Sequence, residues 1–359
     1  MKPMNPGAIQ LLRRIEAAGL ADSYNLLGEG NVRAHDWERM APVLPEETQA
    51  LWRFFMLGGP LPAERAARLL GSEALGFLER HKLCRAANGD LTLGPLSLLS
   101  FRGTRFFAEW NLLGRACFSD DIRVLMTLVP WRERGTCLSL YPGSGASVLP
   151  LASRSAVEMS FSNGPVNRGL IRANLELNAA EASPRFLAPH RSPNAGPYDV
   201  IVASPPCGLD VSGGRLAAWM SGGRDGRRRL REVLDLAEKA LAPEGTLAMT
   251  FLFFSDPEPK AMEEQLRAFL GKWGLSWSLT VCSKHFLEPG APVFNMLLSA
   301  AVGGKAAGAA EILDKMLRHL RRMKLGAVYL IKGRFSRPPE PARREMIDYS
   351  EMYYGTWLF

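Results

Sequence analysis

The spacing of apolar residues changes character about a third of the way along the chain. Up to about residue 115, apolar positions recur at helical spacing in several segments, and a hairpin follows with Asn88-Gly89-Asp90 as its turn. Beyond residue 119, short apolar runs alternate with amphipathic helical patterns. This alternation predicts a parallel sheet that is covered by helices on both faces.

The pattern divides the chain into three predicted parts. Residues 1–115 have the helix, helix, hairpin order of a winged-helix module, an order that does not by itself give a function. Residues 116–303 are predicted to form a doubly wound, Rossmann-like α/β domain. The runs 275–282 and 293–302 are expected to form an antiparallel strand pair at one edge of its sheet. Residues 304–359 are expected to form a basic helix and an aromatic tail.

One predicted strand ends abruptly. The apolar run from Val200 to Ala203 is typical of a buried parallel strand, and it is followed by Ser204-Pro205-Pro206-Cys207. Proline cannot donate to a sheet ladder, so the pair stops the strand and keeps the next backbone extended. Ligands in open α/β sheets bind beyond the carboxyl ends of strands. Two prolines also serve simply to end a strand, and this stretch alone leaves both roles open.

A glycine loop follows the first predicted strand of the α/β domain. Gly143 and Gly145 allow backbone to approach a ligand closely. Val148 occupies the third glycine position of a G-x-G-x-x-G fingerprint, which counts against NAD. Glu158 is interpreted as ending the second strand, where a carboxylate would accept hydrogen bonds from both hydroxyls of a ribose. Taken singly, such glycines more often serve plain turns, and such an acid is more often a solvated carboxylate.

The glycine loop, Glu158 and the Ser-Pro-Pro-Cys stretch, together with two further motifs, make the chain resemble the class I S-adenosylmethionine-dependent methyltransferases. The further motifs are R-x-N-L-E-L-N at 172–178 and the G-x-D-G passage that precedes a helix at 223–226. The resemblance is closest to the small methyltransferase domain branch with an N-P-P-Tyr motif. That branch includes glutamine N5-methyltransferases of release factors and N-methyltransferases of rRNA and tRNA bases. The resemblance extends over residues 135–301.

The resemblance implies S-adenosylmethionine as cofactor and assigns two sets of residues. The cofactor set is Ser139, Tyr141, Gly143, Ser144, Gly145, Glu158 and Met159. The set that faces the methyl acceptor is Ser204, Pro205, Pro206 and Cys207. The chain departs from the family pattern where Ser139 replaces an acid, Tyr141 a glycine, Ser204 an Asn or Asp, and Cys207 an aromatic residue. It also lacks the acid expected on the loop after the third strand.

The function that follows is methyl transfer to a nitrogen of a protein or RNA. The alternatives are a tailoring N- or O-methyltransferase acting on a small metabolite and a degenerate methyltransferase fold that acts as a binding module. Cys207 cannot stack on a planar acceptor, which favours a flexible small molecule more than a flipped base. A hydroxyl acceptor would require a general base, for which His190 and His285 are the candidates.

Charge is concentrated near the end of the chain. The formal net charge is +8, and segment 315–345 alone contains ten Lys or Arg against two Glu. Its first part has apolar residues at helical spacing, so it predicts a basic amphipathic helix. This segment is interpreted either as a solvated face or as the site of a weak RNA contact.

Other classes of protein are disfavoured. The chain has no apolar run of the roughly 20 residues that a membrane span needs and no apolar signal segment near residue 1, so we expect a cytoplasmic protein without membrane contact. Five cysteines without a C-x-x-C pair predict reduced thiols. The five histidines are scattered, and no metal site is expected.

Overall fold

The first part of the chain packs helices against two small antiparallel sheets. The computed structural model describes residues 5–20, 41–109, 116–153, 156–162, 167–180, 184–187, 196–211, 216–217, 220–303, 308–337 and 343–350. In its first part the elements are α1 Pro6–Ala17, α2 Glu46–Leu57, β1 Leu61–Pro62, α3 Ala63–Leu70, α4 Ser72–Arg80, β2 Arg85–Ala87, β3 Asp90–Thr92, β4 Leu96–Phe101 and β5 Thr104–Glu109. The winged-helix identity of this part stays a prediction.

The predicted hairpin is present between β2 and β3. Asn88 and Gly89 form its two-residue turn with positive φ values of 53° and 83°, as a type I′ turn requires. In the three-stranded sheet β3 lies between β1 and β2, and β4 pairs only with β5. The core of this part includes Leu170, Ala173 and Leu177 from a helix of the next part. The two parts are therefore joined by shared apolar packing.

The second part is a doubly wound α/β layer, as the sequence predicts. Its elements are α5 Asp120–Leu128, β6 Arg134–Leu140, α6 Leu149–Ala152, β7 Ala156–Ser162, α7 Arg168–Leu177, β8 Arg185–Phe186, β9 Tyr198–Ala203, α8 Arg228–Ala240, β10 Leu241–Ser255, α9 Pro259–Leu270, β11 Ser276–Phe286, α10 Pro292–Val302, α11 Ala309–Met323, β12 Ala327–Ser336 and β13 Arg344–Asp348. The strands lie in the order β13-β11-β12-β10-β9-β6-β7-β8.

The directions of six strand pairings in this sheet locate its topological switch point. Strands β8, β7, β6, β9 and β10 are parallel, while β12 runs antiparallel to both β10 and β11. The chain moves outward from β6 to β8 and then returns to place β9 on the other side of β6. This reversal is a topological switch point at the carboxyl edge of the sheet, and ligands of open α/β sheets bind beside such points.

Helices cover both faces of the sheet. One face packs residues of α5, α6 and α7 against the strands, and the other packs α8 and α9. At the carboxyl edge, α10 and α11 share a smaller core with residues that follow β9 and with the start of β12. No helix in the described part of the chain is both long enough and apolar enough to cross a membrane.

The predicted strand at 293–302 is wrong, because this segment forms α10. Pro292 occupies the first turn of the helix, and Gly303 ends it in the left-handed conformation at φ 66°. An apolar run of ten residues does not reveal by periodicity alone whether it is a buried helix or a buried strand. The antiparallel partner of β10 and β11 is β12, from within the basic segment, and it lies inside the sheet. The sheet therefore contains strands both from residues 116–303 and from residues 304–359, the second and third predicted parts of the chain.

Candidate active site at the carboxyl edge of the sheet

The switch point places the glycine loop beside the Ser-Pro-Pro-Cys turn. Leu140 and Ala203, the last residues of β6 and β9, are register partners in the parallel ladder. Neighbouring strands lie about 4.8 Å apart, so the segments that begin at Tyr141 and Ser204 leave the sheet side by side. Tyr141 and Ser204 are 63 positions apart in sequence, and the sheet brings them to the same edge.

The glycine loop has an unusual backbone. Tyr141, Gly143 and Gly145 all have positive φ values, 54°, 53° and 81°. The backbone N–H of Tyr141 donates to the Ser162 carbonyl at 3.1 Å, and its phenol donates to Glu232 Oε2 at 3.1 Å. Burial, with the neighbouring Glu232 carboxylate, raises the pKa of the Tyr141 phenol. Tyr141, which stands where the resemblance predicts a glycine, is thus held by hydrogen bonds at its backbone and at its phenol.

Packing explains the second glycine of the loop. A Cβ on Gly145 would lie 3.2 Å from Ile171 Cγ1, and the Gly145 N–H donates to the Pro142 carbonyl at 2.6 Å. The loop continues into a short 3-10 turn and then α6, which has only four residues. The helix expected after the loop is therefore short, and its dipole contributes little to binding an anion.

Ser139 and Met159, two other predicted cofactor residues, are buried in strands. Ser139 is the second-last residue of β6, and its Oγ is buried without a hydrogen-bond partner among the described residues. Met159 is fully buried in the core between the sheet and α7. Its register partner is Cys137, three positions before the end of β6. The structure therefore brings Ser139, and not Met159, near the carboxyl edge.

The prediction that Glu158 ends the second strand is wrong. Glu158 is the third of seven residues of β7, and its register partner is Thr136 near the start of β6. Ser162, the last residue of the strand, is four positions further on, about 13 Å along an extended chain. The exposed Glu158 side chain is thus near the opposite edge. The apolar run continues beyond the acid to Phe161, and an exposed acid inside a strand does not by itself indicate where the strand stops.

A carboxylate that the sequence did not single out accepts a hydrogen bond from the Ser-Pro-Pro-Cys turn, residues 204–207, which is called the acceptor turn below because the resemblance predicts that role. The Ser204 hydroxyl donates to Asp121 Oδ2, and the Ser119 hydroxyl donates to Asp121 Oδ1. Ser119 is the N-cap of α5, and Asp121 lies in the first turn of that helix. An acid in a first helical turn is ordinary capping chemistry, which is why nothing in the sequence marked it. Only the packing of α5 across the sheet reveals its contact with Ser204.

The remaining residues of the acceptor turn are largely enclosed. Pro205 is buried, whereas Pro206 and Cys207 are half-buried. Burial, reinforced by the Asp121 carboxylate, raises the pKa of the Cys207 thiol to about 12. The thiol therefore stays protonated at neutral pH and is unsuited to act as a nucleophile.

A glycine-rich loop before α8, residues 221–226, packs closely against the backbone of the acceptor turn. A Cβ on Gly222 would lie 2.7 Å from the Cα and the carbonyl carbon of Cys207. A Cβ on Gly226 would lie 2.6 Å from the Phe254 ring and 2.9 Å from the Cys207 carbonyl oxygen. Gly226 belongs to the G-x-D-G passage, one of the motifs that carry the resemblance. The passage packs directly against Cys207.

Polar contacts fasten this loop to the chain that follows the acceptor turn. The Ser221 hydroxyl donates to Asp210 Oδ2 at 2.7 Å, and Arg228 Nη2 donates to Ser221 Oγ at 2.7 Å. The backbone N–H of Gly208 donates to the Met220 carbonyl at 2.9 Å. The turn and the loop therefore form one hydrogen-bonded unit at the carboxyl edge.

Of the two histidines named as candidate general bases, the structure places His285. His190 lies outside the described residues. His285 lies near the end of β11, three strands from β9 and hence about 14 Å away across the sheet. Its ring nitrogen contacts Ser283 Oγ at 3.0 Å, and burial lowers its pKa to about 4. Asp121 is the carboxylate that contacts the acceptor turn directly.

Comparisons with known proteins give similar folds at low identity. No family model and no curated protein matches the chain. M. jannaschii TYW2 in complex with AdoMet is 11% identical, with 68% of this chain and 87% of that chain covered and a TM-score of 0.37. The Haemonchus contortus phosphoethanolamine N-methyltransferase 2 is 10% identical, with 64% and 55% covered and a TM-score of 0.37. YcgJ from Bacillus subtilis is 11% identical, with 61% and 99% covered and a TM-score of 0.38. With TM-scores below 0.5, these likenesses carry no conclusion about ligand or reaction.

Replacing Gly222 with Ala should destabilise the protein, because the new methyl group would collide with the Cys207 backbone. Gly76 in α4 is the matched control, since a Cβ there meets nothing within 4 Å. Gly76→Ala should raise the free energy of unfolding by about 0.5–1 kcal/mol, the difference between Gly and Ala in a helix. Urea denaturation measures both variants. An unchanged stability for Gly222→Ala would mean that the loop does not press on the acceptor turn.

Proposed function

We propose that the chain is an S-adenosylmethionine-dependent methyltransferase whose crevice lies between the loop after β6 and the turn after β9. The observation that carries this proposal is the pairing of Leu140 with Ala203, which sets the predicted cofactor loop and acceptor turn side by side. A methyl donor bound over the first segment would have its acceptor over the second. Proximity of this kind is the main requirement for a transfer reaction between two bound molecules.

The residues of the loop fit the cofactor in part. Left-handed Gly143 and Gly145 provide a loop in which backbone can approach a ligand. The Ser139 hydroxyl, which has no hydrogen-bond partner within the described part of the chain, supplies a polar atom near the same edge. These residues, with Ser144 and the Tyr141 backbone, would hold the cofactor. Bound S-adenosylmethionine supplies an activated methyl group and a good leaving group. Glu158 is left out of the proposed set, because it is the third of seven residues of β7 and lies away from the carboxyl edge.

The Asp121–Ser204 contact suggests how the acceptor would be oriented. Because the Ser204 hydroxyl gives its hydrogen to Asp121, its free lone pairs can only accept hydrogen bonds. The Pro205 carbonyl is a second acceptor on the same turn. Two acceptor oxygens select a group that carries N–H hydrogens and turn its lone pair away from them. Ser204 with Asp121 would thus perform the orienting role that the family gives to Asn or Asp.

This chemistry favours a nitrogen of a protein or RNA as the acceptor. A small metabolite is the second candidate, and the position of Cys207 favours it. A half-buried thiol replaces the aromatic ring that would stack on a planar acceptor, a contact worth roughly 1–3 kcal/mol for a base. An assay with labelled S-adenosylmethionine and three acceptor classes distinguishes them: peptides with glutamine amides, unmodified rRNA or tRNA, and small amines and alcohols. Label in none of these, with tight cofactor binding retained, would favour the binding module.

The end of the basic helix α11 is the proposed site of RNA contact. Arg321, Arg322 and Lys324 are exposed there, and β12 begins three residues after Lys324. The Ala327 backbone at that point pairs with Phe286. The Phe286 ring is 44% exposed, so one aromatic face accompanies the cations at the carboxyl edge. Cations beside an exposed ring suit a single-stranded nucleic acid.

Cofactor binding is the first test of this proposal. Calorimetry with S-adenosylhomocysteine should detect one site in the wild-type protein. Gly143→Val should weaken this binding at least tenfold, because a β-branched residue is strained at positive φ and would displace the loop. Glu158→Ala should leave the dissociation constant unchanged, since its side chain lies near the other edge. A reversed result for the two variants would contradict the assignment of the loop.

The acceptor turn is tested by a graded series at Ser204 and Asp121. Ser204→Ala should lower kcat about ten- to a hundredfold and leave cofactor affinity nearly intact, because the lost hydrogen bond orients only the acceptor. Asp121→Ala should have a smaller effect, since the freed hydroxyl retains its lone pairs but loses its orientation. Asp121→Asn should have the least, because its amide oxygen still accepts from Ser204. Full activity of Ser204→Ala would leave Pro205 and Pro206 as strand terminators only.

The RNA contact predicts a dependence on salt. If Arg321, Arg322 and Lys324 contact phosphates, replacing all three by Gln should reduce the slope of log affinity against log salt by up to about 2 for a single-stranded RNA. Arg318→Gln is the matched control, because Arg318 forms an ion pair with Asp314 at 2.6 Å. A fluorescence titration at several salt concentrations measures the slope. An unchanged slope in the triple variant would identify this face as solvated only.

A further inference from the structure

Two asparagines lie in the last part of α7 and at its C-cap, and the first of them is fully buried. Asn174 is 0% exposed. Its Oδ1 accepts from the Phe107 N–H at 2.7 Å, and its Nδ2 donates to the Phe107 carbonyl at 2.9 Å and to the Ser144 carbonyl at 2.9 Å. Both amide hydrogens are therefore used. Asn174 joins the hairpin strand β5 to the glycine loop through one side chain.

The contact with Ser144 fixes one peptide group of the glycine loop. Its carbonyl is held by Asn174, and the N–H of the same peptide group, on Gly145, is held by the Pro142 carbonyl at 2.6 Å. Gly143 and Gly145 flank this segment with left-handed backbones. Glycine adopts positive and negative φ with similar ease, so the loop sequence alone does not fix which way the peptide group faces. Asn174 supplies that missing restraint.

The other end of the same amide is tied to the first part of the chain. Phe107 lies in β5, and Asn178, one turn further along α7, binds the backbone of the same strand. The Asn178 side chain accepts from the Arg105 N–H at 3.1 Å and donates to the Arg105 carbonyl at 2.6 Å. The two side chains thus bind β5 much as a neighbouring strand would.

A third residue of this helix binds the helices that precede the hairpin. Glu176 Oε2 accepts from Asn5 Nδ2 at 2.8 Å and lies 3.2 Å from Nε2 of the buried His81. Asn5 is the N-cap of α1, and His81 follows α4. The R-x-N-L-E-L-N motif therefore contacts the first part of the chain at three points, and its Asn174 also donates a hydrogen bond to the glycine loop.

We propose that Asn174 is a positioning residue that couples the docking of the first part of the chain to the shape of the glycine loop. Where β5 lies against α7, Asn174 is fixed, and the Ser144 peptide group is fixed with it. The predicted consequence is that cofactor affinity depends on this contact, although Asn174 does not touch the cofactor. This consequence rests on the proposed function, whereas the restraint on the loop does not.

The test compares Asn174→Ala with Asn178→Ala. Asn178 is the matched control because its side chain makes three hydrogen bonds, to Arg105 N–H, Arg105 carbonyl and Asn174 carbonyl, and none to the loop. Calorimetry with S-adenosylhomocysteine should show a dissociation constant raised at least tenfold for Asn174→Ala and changed less than twofold for Asn178→Ala. Thermal unfolding of both variants measures the shared loss of stability. Equal effects on affinity would overturn the proposal.

Hydrogen exchange separates this proposal from the proposed function. If the wild-type protein does not bind S-adenosylhomocysteine, the proposed function fails, and the exchange of loop 141–146 still tests the restraint. Asn174→Ala should accelerate that exchange at least tenfold more than Asn178→Ala does. If Asn174→Ala does not fold, the wild-type protein in mild denaturant gives the answer. Loop 141–146 and strand β5 should then open with the same dependence on denaturant, and separate opening would overturn the coupling.

Discussion

The parallel pairing of β6 with β9 is the constraint on which the rest of this structure depends. Both strands are buried on both faces, so neither can shift its register without exposing apolar side chains or burying polar ones. Their last residues, Leu140 and Ala203, are paired, and both loops must leave the sheet at one point. The candidate site is thus a consequence of strand order more than of any single side chain.

Around this point the chain uses close backbone contacts to hold flexible segments still. Glycines at 222 and 226 let the loop before α8 lie directly on Cys207. Left-handed glycines let the loop after β6 turn sharply, and the Asn174 amide fixes the direction of one of its peptide groups. Freedom supplied by glycine is therefore removed again by hydrogen bonds from neighbouring elements, which is how a mobile sequence becomes a defined surface.

The acceptor side follows the same logic with different chemistry. A serine hydroxyl rotates freely and can donate or accept, so Ser204 alone would orient an acceptor poorly. Asp121 removes that ambiguity, because it takes the hydroxyl hydrogen and is itself held by the N-cap serine of α5. A carboxylate on a different element thus makes the Ser204 hydroxyl a directed hydrogen-bond acceptor.

The sequence by itself determined the class of fold, most of the strands and helices, and the two loops that matter. These features follow from local periodicity and from Gly and Pro, whose backbone effects are intrinsic. Tertiary structure alone decided that 293–302 is a helix and that β12 lies inside the sheet, since a buried apolar run suits either state. It also decided that Glu158 lies near the wrong edge and that Asp121 and Asn174 contact the site. Such contacts depend on strand register and on helix packing across long sequence separations, which local patterns do not encode.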